Sequence, residues 1–210
     1  MVKEPMSPSA PTFLVERELR KRGFCAIAGV DEAGTGALAG PVVAGAVIFP
    51  FDSRLGKVRD SKLIQEGARE ELYELVIARS SAHAVGIAEV EEIASVGLRR
   101  ATLNAMRRAV EAIAAVDYVL VDAWTIPGIT IPQHGIIRGD RTVKSIAAAS
   151  IIAKVTRDRL MRALAQEHPA YGFDIHKGYA TAEHRLAIRK EGPCPVHRLS
   201  YRSFLPMDTK

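Results

Sequence analysis

Apolar positions along the chain switch between a period of two and a period of about 3.6, and the switching predicts an α/β order. Residues 24–30 and 41–49 are rich in small and β-branched side chains and read as two strands joined by a glycine-rich loop. Residues 61–79 have helical spacing through Leu63, Leu72, Leu75 and Val76, with Asp60 or Ser61 as N-cap. Residues 83–90 read as a third strand, 98–115 as a helix, and 118–122 (YVLVD) as a short strand of the buried kind. A fifth strand at 135–138 precedes a long helix from 142 to about 168, which Pro169 stops. A short charged helix at 13–21 and a last helix at 181–190, closed by Gly192-Pro193, complete the order. Residues 1–11 hold three prolines and no period and read as a frayed tail. Two adjacent strands, a third, and then strands alternating with helices predict a sheet of mixed strand direction with helices on its faces.

Composition narrows the class. A 210-residue chain with 48% hydrophobic residues and mixed charge is that of a globular protein. Its longest nearly apolar runs, residues 42–49 and 146–153, fall far short of the ~20 residues needed to span a bilayer. The start, Met-Val-Lys-Glu-Pro, carries no apolar leader, and Cys25 and Cys194 make no disulfide framework. The expectation is a soluble, cytoplasmic monomer. The formal net charge is +5, unevenly spread: residues 141–210 hold 13 Lys and Arg against 6 Asp and Glu, whereas residues 1–140 are slightly acidic. A basic C-terminal third beside an acidic cluster suits a polyanion gripped on one side and coordinated at one spot; a solvated basic surface is the plainer alternative.

The loop between the first two strands, GVDEAGTGALAGPVV at 29–43, poses the chemical question. Gly34, Gly36 and Ala39 match the dinucleotide fingerprint G-x-G-x-x-G/A, which requires a helix after the glycines. Here Pro41 and a β-branched run follow, which predicts a strand and argues against a nicotinamide-type oxidoreductase. Asp31 and Glu32 sit at the end of the first strand, Glu32 as the first loop residue, and Asp122 ends another strand. At about 100° per residue, Asp158 on the long helix lies about 20° from Ile151 and about 60° from Val155, on a largely apolar stripe. An acid there needs a metal or a partner, and Lys154 one turn earlier could be that partner. Four converging carboxylates without an arginine at their centre would select a hard divalent ion, Mg²⁺ or Mn²⁺. Cys194-x-x-His197 lacks a second close pair, and His176 and His184 are eight residues apart, so zinc is disfavoured.

Taken in order, AGVDEAGTGALAGPVVAGAVI, DSK at 60–62, ATLNAMRRAV, VLVD at 119–122, SIAAASIIAKVTRDRLM at 145–161 and YGFDIHKGYAT at 171–181 resemble the type 2 ribonuclease H family, ribonuclease HII, over residues 13–204. The resemblance implies a ribonuclease H-like mixed sheet flanked by helices, with a flexible tail at 1–12, a catalytic domain at 13–168 and a small helical substrate-binding part at 169–210. It implies endonucleolytic cleavage of the RNA strand of RNA–DNA hybrids, and of ribonucleotides embedded in duplex DNA, leaving 3′-hydroxyl and 5′-phosphate ends. Asp31, Glu32, Asp122 and Asp158 become the catalytic ligands of a two-metal site. Lys62, Lys144, Lys154, His176 and Lys177 become phosphate contacts, beside Gly34, Thr35, Gly36 and Ser61. Tyr179 matches the tyrosine that packs on the sugar.

The chain also departs from the family pattern. Thr35 stands where the usual loop reads Gly-Arg-Gly, Ala37 replaces proline, and Ala123-Trp124 replaces Gly-Asn. The usual asparagine before the helix at 98 is missing. Threonine cannot supply the planar donor fork of arginine, so recognition of a single embedded ribonucleotide is expected to weaken while hydrolysis persists. The competing expectation is a nucleic-acid-binding module of the same fold whose cleavage is impaired.

Overall fold

The computed structural model describes residues 10–50, 53, 65–201 and 204. Five strands, β1 (Ile27–Ala33), β2 (Val42–Ile48), β3 (Ala82–Ala88), β4 (Tyr118–Asp122) and β5 (Gln133–Ile136), form one sheet in the order β3-β2-β1-β4-β5. β1 pairs antiparallel with β2, and β2 with β3, whereas β4 runs parallel to β1 and to β5. The predicted mixed sheet is therefore the observed one. β2 is buried at every position, as a strand covered on both faces must be.

Among the described residues, the helices around it are α1 (Leu14–Lys21), α2 (Glu66–Arg79), α3 (Val90–Val96), α4 (Leu98–Glu111), α5 (Lys144–Glu167), α6 (Phe173–His176) and α7 (Ala182–Glu191). The period of two along the strands sorts the core into two layers. Ala28, Val30, Ala44 and Ala46 face Ala101, Ala105 and Ala109 of α4. Ile27, Val47 and Leu120 belong to the opposite layer, with Ile146, Ala149 and Ile152 of α5. α5 can lie this close because Gly29 and Gly45 carry no side chain: a Cβ at the first would overlap the Ser145 backbone, and at the second the Ala149 carbonyl.

The structure corrects several boundaries. β1 continues to Ala33, so Asp31 and Glu32 lie inside the strand, paired opposite Gly45 and Ala44, and neither is a loop residue. α3 was not expected; it is only seven residues long, buries Val90 and Ile93, and is separated from α4 by Gly97 at φ +81°. β5 begins two residues earlier than its β-branched residues suggest, and Arg138 at φ +57° turns the chain into a 3₁₀ segment at Gly139–Arg141. The proposed tail is anchored at its end: Pro11 is buried and Thr12 bridges to Val143. Residues 54–64, which hold the predicted cap and first turn of α2, lie outside the described residues. Among those described, no helix is long and apolar enough to cross a membrane.

Candidate active site

Asp31 is 4% exposed, on the face of β1 that looks toward α5. The parallel register pairs Val30 with Val121, so one step further Asp31 comes level with Asp122 on the neighbouring strand. Burial pushes the Asp31 carboxyl well above the usual range, and Glu32, Asp122 and Asp140 push it the same way. The Glu32 amide donates to Asp31 Oδ1 at 2.7 Å, and the Gly139 amide to Asp122 Oδ1 at 2.7 Å. Asp140, 6% exposed in the 3₁₀ segment, is a fourth acid in this group and was missed; its only trace in the sequence is a Gly-Asp just ahead of the long helix.

Asp158 has other company. It is 2% exposed, with Lys154 Nζ donating at 2.5 Å and Arg69 Nη1 of α2 at 3.4 Å. The expectation of carboxylates without an arginine partner therefore fails for this residue, and the Lys154 pairing weighed as its alternative is present. Among the described residues, no three acid, histidine or cysteine groups stand together in a way that could hold a metal ion. The donor chemistry still suits one: the buried Asp31 carboxylate and its acidic neighbours Glu32, Asp122 and Asp140 offer hard oxygen donors.

The loop after β1 meets the C-terminal segment beside these acids. Leu38 N–H donates to the Gly178 carbonyl at 2.8 Å, and Ala37 bridges to Tyr179. A Cβ built on Gly36 would sit 3.9 Å from the Tyr179 ring, so the glycine and the tyrosine face each other. Lys154 Nζ lies 5.4 Å and Arg157 Cζ 5.2 Å from the centre of that ring.

Beneath the loop lie two arginines that the sequence reading passed over. Arg157 and Arg198 are completely buried. Arg157 donates to the carbonyls of Pro41 (2.9 Å), Ala39 (3.0 Å) and Lys177 (2.9 Å). Arg198 donates to Gly40 (2.9 Å), Pro41 (3.1 Å) and Thr35 (3.4 Å), and to the Tyr201 hydroxyl at 2.8 Å. Gly34, at φ +97°, is required here, since any Cβ would overlap the Arg157 guanidinium. Desolvation draws Arg157 down to about 10, and it lowers Arg198 as well. A signal for Arg157 existed: it lies about 20° from both Ile146 and Ser150 on the helical wheel, on the buried stripe. Nothing comparable marks Arg198.

Several expected phosphate contacts are engaged inside the protein. His176 is 9% exposed; its Nε2 meets the Tyr171 carbonyl at 2.7 Å, and its Nδ1 accepts from the Gly178 amide at 3.2 Å. Lys177 is buried, with Nζ 2.5 Å from the Asp174 carbonyl and 3.5 Å from Glu66. Lys144 is buried at the start of α5 and its side chain is engaged there. Ser61 and Lys62 lie outside the described residues.

His176 belongs to a buried histidine group that props Tyr179. His197 Nδ1 accepts from the Cys194 amide at 2.9 Å, which leaves its proton on Nε2, 3.1 Å from His184 Nε2. His184 then donates from Nδ1 to the Tyr179 carbonyl at 2.9 Å. The His184 and His197 rings are satisfied only when neutral. Burial holds His197 down at about 4, and His184, His168 and His176 add to the effect; Cys194 and Tyr171 complete its surroundings. Unfolded, the same imidazole titrates near 6.5. Above that pH neither state takes the proton. Between about 6.5 and about 4 only the unfolded chain does, so stability falls as pH falls, by up to about 3 kcal/mol. Urea midpoints at pH 7.5 and pH ~5 will show this loss, and His197→Asn will shrink it.

Ala123, directly after Asp122, adopts φ +60°, a conformation that costs an L-residue about 1 kcal/mol. Ala123→Gly is expected to raise stability by ~0.5–1 kcal/mol in a denaturant titration.

The ribonuclease HII family profile matches residues 28–204. The ribonuclease HII of Salinispora tropica is 49% identical over 193 residues, covering 90% of this chain and 71% of its own. That of Geotalea daltonii is 48% identical over 193 residues, covering 91% and 89%. Among solved structures, the ribonuclease H2 of Pyrococcus horikoshii superposes with a TM-score of 0.72 at 25% identity, over 85% of this chain and 94% of that one. The ribonuclease HII of Archaeoglobus fulgidus, solved in a complex with PCNA, gives 0.71 at 25% identity, over 88% and 97%. With a matching profile over most of its length and relatives near half identity, the chain belongs to the ribonuclease HII family.

Proposed function

We propose that this protein is an endonuclease cutting the RNA strand of RNA–DNA hybrids, and ribonucleotides embedded in duplex DNA, by hydrolysis that depends on Mg²⁺ or Mn²⁺. What carries this reading is Asp31: a buried carboxylate raised by neighbouring acids, three residues ahead of the loop on which Gly36 faces Tyr179. Asp31, Glu32, Asp122 and Asp158 would hold two ions, which supply an activated water and stabilise the leaving 3′-oxygen. The chain's own residues do the rest. The exposed Gly36 backbone can approach a ribose, the half-buried Tyr179 ring offers a face to the sugar, and the 2′-hydroxyl distinguishes RNA from DNA. Lys154, between Asp158 and the Tyr179 ring, can turn to a phosphate once Asp158 no longer needs it.

Recognition of a lone ribonucleotide is weakened in this protein. Arg157 and Arg198 are buried and bonded to loop carbonyls, so neither can serve as the outward donor fork that Thr35 lacks. The test compares a long hybrid with a duplex holding one ribonucleotide, each with Mg²⁺ and Mn²⁺, for the wild type and Thr35→Arg. Cleavage of the hybrid is expected from both, with the single-ribonucleotide substrate gaining about tenfold in the variant. Equal preference in the two proteins overturns the weakened-recognition reading, and no cleavage of either substrate overturns the nuclease assignment.

A further inference from the structure

A groove of about 650 Å³ opens at the start of α4, walled by Arg99, Arg100 and Arg107 and floored by Leu98, Leu103 and Pro127. Among the described residues, no acidic one lines it. Arg99 and Arg100 are exposed and pair with no carboxylate among the described residues, and Arg107 meets Glu111 at 3.8 Å and lies near Glu92. Arg99 lies over the Trp124 ring, 4.2 Å from its centre, yet Trp124 stays 52% exposed. An exposed indole under one guanidinium, which itself lines a groove with two more, is the combination that stacks an unpaired base while neutralising its phosphates. Duplex bases, stacked on each other, cannot use such a platform. Trp124 stands two residues beyond Asp122, and its amide donates to the Asp122 carbonyl at 2.7 Å, so the indole that Arg99 covers belongs to a segment adjoining the candidate active site.

We propose that this groove binds single-stranded nucleic acid flanking the duplex being cut. Its role as a flank site rests on the nuclease reading; its affinity for a single strand does not. The chain has one tryptophan, so tryptophan emission reports on the indole that Arg99 covers. With a chelator present to prevent cleavage, an oligodeoxythymidylate is expected to quench Trp124 emission. A hybrid with a single-stranded DNA tail should bind about tenfold more tightly than the blunt hybrid. The R99A/R100A double variant should lose the tail-dependent gain and flatten the salt dependence of oligonucleotide binding by roughly one power. Its cutting of the blunt hybrid should stay at the wild-type rate. Trp124→Ala, followed through a labelled oligonucleotide, should lose the same gain.

Unchanged emission with the oligonucleotide, or equal binding of tailed and blunt hybrids, overturns the proposal. So does thymidine monophosphate quenching as effectively as the oligomer, which would make the groove a mononucleotide pocket. If the oligonucleotide quenches but the hybrid is never cut with metal restored, strand binding stands and the nuclease reading fails.

Discussion

Arg157→Ala is expected to cost about 4 kcal/mol of stability and to loosen the loop that holds Gly34 to Gly36. The guanidinium makes three bonds to buried carbonyls, each of the charge-assisted kind worth roughly 1.5–3 kcal/mol. Against this stands its own desolvation, visible as a pKa drawn down to about 10 and equal to roughly 3 kcal/mol. The bonds outweigh the burial, and the alanine adds a cavity beside Gly34. Arg157→Lys keeps the charge but cannot span three carbonyls in fixed directions, so about half the loss should remain. Denaturant midpoints of both variants measure the effect. Cleavage by the lysine form should fall more on the single-ribonucleotide duplex than on the long hybrid, because the loop, and not the acids, has been disturbed.

Asp31→Asn should reverse the pattern, with cleavage falling by at least ~10³-fold and stability rising. The carboxylate is buried among Glu32, Asp122 and Asp140, and its raised pKa means the folded state resists its ionised form. An amide removes that repulsion while its oxygen can still accept the Glu32 amide hydrogen. A gain in stability at neutral pH is expected in the absence of metal. Cleavage assays with Mn²⁺ in excess, run beside thermal melts, separate a lost ligand from a lost fold. Retained cleavage would remove Asp31 from the proposed site and favour the module with impaired chemistry.

Local pattern marks several of the site residues, although Arg157, also on the buried stripe of α5, goes unread. A short apolar run ending in an acid identified β4 and Asp122, and a proline with β-branched residues after the glycines identified β2 and argued against a cofactor helix. Asp158 stood out because a helical period makes an acid on an apolar stripe conspicuous. Where the chain lacked periodic length, the reading failed: α3 has two buried apolar positions, too few to be told from a strand end. The end of β1 was misplaced because Asp and Glu disfavour strands, yet pairing with β2 carries both of them into the sheet.

His176 and Lys177 show the other kind of failure. By type and position in a basic stretch they suited phosphates, but both turn inward, one among buried rings and one onto a backbone carbonyl. Charge and residue type are written in the sequence, whereas the direction of a side chain depends on what packs against it.

By itself the sequence determined the five strands and the longer helices, and singled out the four acids proposed as ligands, because both depend on spacing within one element. Only the tertiary structure decided what supports them. Arg157 reaches Pro41 across 116 residues, and Arg198 reaches Gly40 across 158. Asp158 takes Arg69 from 89 residues away, and His184 meets His197 only where α7 and the C-terminal segment fold together. Contacts at such separations leave no period in the chain. They exist because buried carbonyls and buried charges must find partners wherever the fold brings them.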